Sequence, residues 1–140
     1  MILNENYTLN NGLLMPKLGL GTWMLDNTQT KQAVLDAVKI GYLHIDTAQA
    51  YANEEGVGEG IRICGEEREK LFITTKVAAE LKTYEEAAKS IEESLGRLGV
   101  DYIDLMIIHS PQPWKDVNQS DNRYYKENKE VWRALEDSYK

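Results

Sequence analysis

The sequence of 140 residues has one cysteine, no long apolar run and no signal-peptide start. Cys64 cannot form an internal disulfide, which indicates a reducing compartment. No apolar run approaches the roughly 18–20 residues that a membrane-spanning helix needs. The N-terminus lacks the basic start and apolar stretch of a secretory leader. A soluble cytoplasmic protein with no membrane partner is therefore expected.

Several functional classes lack their sequence signals. There are 16 Lys and Arg residues against 23 Asp and Glu, a net charge of −7, so the basic clusters that bind nucleic acids are missing. No Cys/His cluster has zinc spacing, and we predict no metal site. The glycine fingerprint of doubly wound dinucleotide-binding sheets fails, because Met24 and Ile63 stand where a third glycine would be needed.

The chain instead alternates short apolar runs with helical patterns. Positive backbone φ angles are tolerated at Asn10, Asn11 and Gly12, which predicts an N-terminal hairpin over residues 7–15. Strands are then predicted to begin at residues 18, 43, 71 and 103, each followed by one helix. Four such units of parallel sheet are half of a (β/α)₈ barrel. The fold class is therefore α/β, with residues 1–140 forming one partial barrel domain.

Helix boundaries follow from local signals. Asp26 and Asn53 are predicted to cap the first two helices, and Thr83 with Glu86 is typical of a capping box for the third. The fourth strand is predicted from residue 103. The last helix is predicted to bury one face, formed by Val131, Trp132, Leu135 and Tyr139.

Titratable residues end three successive apolar strands. Asp46 ends the second strand, Lys76 ends the third, and His109 directly follows the fourth, while Tyr51 lies five residues beyond Asp46. Each has a structural interpretation when taken singly, as a turn or helix cap, a surface group or a hydrogen-bonded core residue. Barrel enzymes, however, place their chemistry at the carboxyl ends of strands. All four residues at one rim therefore indicate a catalytic site.

These four side chains can form a proton donor. A phenol has an ordinary pKa of about 10 and gives up its proton poorly near neutral pH. A nearby ammonium favours the phenolate, and a carboxylate beside the ammonium keeps it charged. The pattern predicts Tyr51 as general acid, Lys76 and Asp46 as its electrostatic support, and His109 as the group that orients a substrate oxygen.

The segment around this site resembles the signature of the aldo-keto reductases. The resemblance is carried by residues 41–54 (GYLHIDTAQAYANE) and 57–61 (VGEGI), and it extends to residues 19–23 (GLGTW), the strand ending at Lys76, and residues 104–109 (DLMIIH). It covers nearly the whole chain. Bacterial sugar-acid and small-aldehyde reductases are the most similar branch.

This resemblance implies an NADPH-dependent oxidoreductase that reduces aldehydes and ketones to alcohols. It implies that Asp46, Tyr51, Lys76 and His109 are the catalytic residues, and that Thr22, Trp23 and Asp46 contact the cofactor. The substrate pocket would be lined by Trp23, Tyr51, His109 and Trp114. The tryptophan that many members carry after the catalytic histidine is here Ser110, so Trp114 is expected to fill part of a wider pocket.

The resemblance also places most of the cofactor site in a second half that would follow Lys140. The isolated chain is therefore expected to have weak activity or none. The alternative is a non-catalytic half-barrel that self-associates through its open sheet edges, because unpaired edge strands favour pairing. His44, in phase with Asp46, is predicted to be a hydrogen-bonded core histidine, and Cys64 an inert residue at a helix end.

Overall fold

A computed structural model describes residues 1–140, with a two-stranded hairpin, a four-stranded sheet and four α-helices. The hairpin strands are β1 (Asn6–Thr8) and β2 (Leu14–Pro16). The sheet strands are β3 (Gly19–Gly21), β4 (His44–Asp46), β5 (Phe72–Val77) and β6 (Leu105–Ile108). The helices are α1 (Asn27–Lys39), α2 (Glu54–Ile63), α3 (Tyr84–Leu98) and α4 (Tyr125–Tyr139).

The sheet has the order β3-β4-β5-β6, and every neighbouring pair is parallel. One helix follows each strand, so the four predicted βα units are confirmed. Gly21 pairs with Asp46, which pairs in turn with Thr74. Because all strands run in one direction, their carboxyl ends lie along the same edge, and the residues that follow them meet there.

The hairpin precedes the sheet and pairs Tyr7 with Met15. Its turn contains Gly12 at φ +85°, and the Gly12 N–H donates to the Leu9 carbonyl at 2.9 Å. A side chain at this φ would be strained, so glycine is the residue that the turn requires. The expected hairpin is present.

Two of the predicted helix starts have side-chain caps. Asp26 and Gln29 form a reciprocal capping box at the start of α1. At α3, the Thr83 hydroxyl accepts from the Glu86 N–H at 3.2 Å, while the Glu86 carboxylate accepts from Lys82 N–H at 3.3 Å. The predicted capping box is therefore incomplete, because the Glu86 carboxylate accepts from the Lys82 N–H and the Thr83 hydroxyl instead of the Thr83 N–H. Gly99 ends α3 with φ +63°.

The predicted start of the fourth strand was two residues too early. Asp104 precedes β6, and its carboxylate accepts from the Ile73 N–H at 2.8 Å and from the Arg68 guanidinium at 2.6 Å. The Asp104 carboxylate binds the Ile73 N–H, which would otherwise be available to a backbone carbonyl of β6. Regular pairing between β5 and β6 therefore begins at Leu105.

The core consists of two apolar clusters. The first core cluster joins α1, α2, β4, β5 and the end of α3. Its members are Val34, Val38, Ile45, Val57, Ile61, Leu71, Ile73 and Leu98. The second core cluster joins β5, α3 and α4, and its members are Val77, Ala87, Ile91, Val131 and Ala134.

The predicted buried face of the last helix is partly wrong. Val131 is fully buried, but Trp132 is 55% exposed and Tyr139 is 78% exposed. Both lie beside β6, which is an edge strand, so no further strand or helix covers them. No helix of this chain is both long enough and apolar enough to cross a bilayer.

Candidate active site

The site lies where the parallel strands end. Asp46 is the last residue of β4, Lys76 is the next-to-last residue of β5, and His109 directly follows β6. Tyr51 ends a single 3₁₀ turn, Gln49–Tyr51, between β4 and α2. The chain therefore brings these side chains to one edge of the sheet from three neighbouring βα connections.

An ion pair forms the base of the site. The Lys76 ammonium donates to Asp46 Oδ1 at 2.6 Å and to the Thr47 carbonyl at 2.7 Å. The Lys76 side chain is 11% exposed, whereas that of Asp46 is 35% exposed. A buried ammonium needs such partners, because desolvation disfavours its charge. Asp46 Oδ2 makes no hydrogen bond within the chain and faces a partly open environment.

Aromatic rings lie above this pair. The Lys76 Nζ is 5.0 Å from the centroid of the Tyr51 ring. The rings of Tyr51 and His109 meet edge to face with centroids 5.5 Å apart, and His109 meets Trp114 in the same way at 5.0 Å. The structure therefore brings together Asp46, Tyr51, Lys76 and His109, with Trp114 beside them.

His109 is electrostatically biased towards its neutral form. Burial lowers its pKa below the ordinary value, and the nearby Lys76 charge lowers it further, while Asp46 and Glu80 oppose this shift. Its Nδ1 atom is buried and has no hydrogen-bond partner. A neutral imidazole has one N–H, so His109 can donate one hydrogen bond to a ligand oxygen.

The two residues after β3 have contrasting environments. Trp23 is 70% exposed, so its indole is free to contact a ligand. Thr22 is fully buried, and its hydroxyl donates to the Asp46 carbonyl at 3.1 Å. The Thr22 side chain therefore supports the strand end that carries Asp46. Its contact with a cofactor stays a prediction.

Asn53 does not cap α2, contrary to the expectation. Its side-chain amide donates to the Thr22 and Leu25 carbonyls at 2.8 and 2.9 Å, and its oxygen accepts from the Thr47 hydroxyl at 2.7 Å. The Thr47 hydroxyl thus occupies the side-chain oxygen that a cap would need, and no side-chain cap is present at this helix. Asn53 instead ties the loop after β3 to the loop after β4.

His44 occupies the core position that its spacing predicts. Its ring nitrogens lie 3.3 Å from the Pro16 carbonyl and 2.9 Å from the Thr74 hydroxyl, and the ring packs edge to face on Phe72. Both nitrogens therefore have partners within the protein. This geometry confirms a hydrogen-bonded core histidine.

Gln49 is the residue near the site that the sequence reasoning missed. Its side chain accepts from the Ala78 N–H at 2.8 Å and donates to Ser90 and Ser94. Gln49 lies inside the signature segment 41–54, but that segment gave its side chain no role, because its partners are 29 to 45 residues away. Its place in that segment, two residues before Tyr51, is the signal that the sequence offers.

A sequence model of the aldo/keto reductase family matches residues 17–140. The chain belongs to the aldo/keto reductase family. Among curated aldo/keto reductase relatives, the 9,11-endoperoxide prostaglandin H2 reductase of Trypanosoma cruzi is 43% identical, with 98% of this chain and 46% of the relative covered. The glyoxal reductase of Bacillus subtilis is 45% identical, with 99% and 46% covered. The expected resemblance to bacterial small-aldehyde reductases is thus confirmed.

Solved aldo/keto reductase structures have the same architecture. The Brucella melitensis aldo/keto reductase superposes with a TM-score of 0.81 at 42% identity, covering 94% of this chain and 46% of that one. The Bombyx mori enzyme, solved in complex with NADP, gives 0.82 at 36% identity, covering 96% and 46%. The chain therefore spans about half the length of the relatives it matches, which makes it a half barrel.

Proposed function

We propose that this chain carries the catalytic half of an NADPH-dependent reductase of small aldehydes and ketones. The observation that supports the proposal is the convergence of one phenol, one ammonium, one carboxylate and one imidazole at the carboxyl edge of the sheet. Tyr51, Lys76, Asp46 and His109 are the catalytic residues in this proposal. Trp23 and Trp114 line the substrate pocket beside them.

Tyr51 donates the proton. When the substrate carbonyl becomes an alkoxide, the Tyr51 hydroxyl transfers its proton to that oxygen and becomes a phenolate. The Lys76 ammonium, whose Nζ is 5.0 Å from the centroid of the Tyr51 ring, then stabilises the phenolate because the two charges are opposite. Asp46 and the Thr47 carbonyl hold that ammonium in place. The neutral His109 ring donates to the carbonyl oxygen and orients it for the transfer.

The residues present fit one end of a reduced nicotinamide cofactor. The free oxygen of Asp46 is able to accept from a ribose hydroxyl, and the exposed Trp23 indole offers an apolar contact at the same edge. When bound, the nicotinamide supplies a hydride to the carbonyl carbon. Thr22 contributes by holding the Asp46 backbone. NADPH rather than NADH is the cofactor in this proposal because a solved relative is in complex with NADP.

The test compares the chain alone with a completed barrel. We expect little oxidation of NADPH at 340 nm when the 140-residue chain is mixed with a panel of aldehydes. Joined to the remaining half of the Bacillus subtilis glyoxal reductase, the chain is expected to reduce glyoxal. In that chimera, Tyr51→Phe should lower kcat by about 10²–10⁴-fold, because it removes the transferred proton.

The matched control is Tyr102→Phe, which also removes one phenol hydroxyl but lies at a surface position 41% exposed. It should leave kcat within about twofold. A folded chimera that reduces no aldehyde would contradict the reductase proposal. Equal rates for the chimera with and without Tyr51→Phe would contradict the role of Tyr51 alone.

A second candidate function is self-association of the half-barrel. Between α4 and the edge strand β6 lies an open groove, whose lining includes Leu105, Met106, Trp132, Leu135 and Tyr139. Exposed aromatic and aliphatic side chains beside an unpaired strand favour contact with another chain. Light scattering tests this candidate. A monomer at all concentrations, with a cooperative thermal transition, would contradict it.

A further inference from the structure

Gln49 connects the turn that carries Tyr51 to the strand that carries Lys76. Its side-chain carbonyl accepts from the Ala78 N–H at 2.8 Å, and this is the only acceptor that the Ala78 amide has in the structure. Its side-chain amide donates to the Ser90 carbonyl and the Ser94 hydroxyl, both at 3.0 Å. One side chain thus joins the 3₁₀ turn, the end of β5 and the middle of α3.

Glu54 makes a parallel connection on the other side of Tyr51. Its carboxylate is 1% exposed and accepts from the Thr75 hydroxyl at 2.6 Å and from the Arg97 guanidinium at 2.7 Å. The Ser94 hydroxyl donates to the same carboxylate at 3.3 Å while accepting from Gln49. The two connections therefore share Ser94 and form one network.

The order along the two segments gives this network its geometric effect. Gln49 and Glu54 flank Tyr51 in one segment, while Ala78 and Thr75 flank Lys76 in the other. One hydrogen bond lies on each side of the phenol and the ammonium, from Ala78 to Gln49 and from Thr75 to Glu54. Together they fix the distance between the two backbone segments and the rotation of one segment relative to the other.

We propose that Gln49 is a positioning residue that sets the distance between the Tyr51 phenol and the Lys76 ammonium. The inference rests on the proposed function only for its kinetic consequence, because the geometric claim concerns this chain alone. The side chain of Gln49 is hydrogen-bonded to groups of this chain at both its oxygen and its nitrogen. It acts by holding the turn of Tyr51 against the end of β5.

The geometric test uses the 140-residue chain and NMR. The variant is Gln49→Met, which keeps the length of the side chain and removes its three hydrogen bonds. We expect the NOE between the Tyr51 ring protons and the Lys76 ε-methylene to fall by at least about twofold. Exchange of the Ala78 amide should quicken by about tenfold, because the variant removes the only acceptor of that amide.

Thr83→Ala is the matched control. Thr83 caps the same helix α3, so Thr83→Ala destabilises the chain without removing a hydrogen bond of the network. Thr83→Ala should leave the NOE unchanged. It should quicken exchange of the Ala78 amide by no more than its effect on global unfolding accounts for. A merely structural role for Gln49 would make the two variants alike. An undiminished NOE in Gln49→Met overturns the proposal.

The kinetic test uses the chimera described above. Gln49→Met should lower kcat by about 10- to 100-fold with little change in KM, because a misplaced proton donor affects the chemical step more than substrate binding. An unchanged kcat overturns the catalytic consequence. If Tyr51→Phe also leaves kcat unchanged, the reductase proposal fails, whereas the NOE result still decides the geometric claim. If Gln49→Met does not fold, Ser94→Ala replaces it and must show the same direction in both measurements.

Discussion

The two sides of the half-barrel differ in how completely their apolar side chains are covered. On the side of α1 and α2, the first core cluster contains Val34, Ile45, Val57 and Ile73 at no exposure at all. On the side of α4 and β6, the second core cluster contains smaller residues, and large aromatic side chains stay exposed beside it. We call these the closed side and the open side.

Close helix packing explains the closed side. A Cβ at Gly56 would lie 2.4 Å from the Asn27 carbonyl oxygen, and one at Gly58 would lie 2.2 Å from that of Leu98. These glycines let α2 approach α1 and the end of α3 to backbone contact. No glycine brings α3 and α4 together in this way, because Gly96 is the only glycine in these two helices and an added Cβ there would have no atom within 4 Å. The proposed catalytic residues lie across both sides, since Asp46 belongs to an interior strand and His109 follows the edge strand.

A matched pair of isoleucine truncations should show the largest difference between the two sides. Ile73→Ala in β5 is expected to lower the free energy of unfolding by about 2–5 kcal/mol, because its side chain is fully buried and a cavity would remain. Ile107→Ala in β6 should cost about 1 kcal/mol, because that residue is 38% exposed. Urea unfolding followed by circular dichroism measures both.

Equal costs for the two isoleucines would contradict the comparison. A cost at Ile107 that grows with protein concentration would instead show that the open side is covered by another chain in solution. The two isoleucine variants therefore also distinguish a half-barrel that stays monomeric from one that associates with another copy.

A pair of glycine substitutions tests the packing of the closed side. Gly58→Ala should destabilise the chain by about 1–3 kcal/mol, because its methyl group would overlap the Leu98 backbone. Gly96→Ala in α3 has no atom within 4 Å of the added Cβ and should stabilise the chain by up to about 1 kcal/mol through helix propensity. Thermal unfolding of the two variants gives the comparison. A higher midpoint for both would show that α2 can move away from α3 at little cost.

Local signals predicted the features that depend on neighbours in sequence. Asp26 and Thr83 cap the starts of α1 and α3 through contacts within a few residues, as their sequence positions predicted. The four strand ends likewise predicted which side chains meet, because parallel strands share one carboxyl edge. Tyr51 meets Lys76 for the same reason, because only five residues separate Tyr51 from Asp46 at the end of the neighbouring strand.

The features that the sequence did not predict depend on distant partners. Asn53 has the residue type and position of a cap, yet carbonyls 28 and 31 residues away hold its amide. Trp132 has the spacing of a buried helical face, but its burial depends on what packs beyond β6. Gln49 lies within the signature segment 41–54, yet its role was not predicted, because its hydrogen-bond partners lie on α3 and directly after β5.

His109 offers the smallest and most specific test, because it is a partly buried group on the open side. Burial lowers its pKa, so as the pH falls below about 6.5 the unfolded chain takes up a proton before the folded chain does. Stability should therefore fall with pH from that value down to the lowered pKa. The loss should be smaller than that caused by Ile73→Ala. His109→Gln, which does not titrate, should flatten this part of the profile of midpoint temperature against pH. An identical change of midpoint temperature with pH in both proteins would contradict this prediction. It would show that water reaches the His109 ring at the carboxyl edge of the sheet.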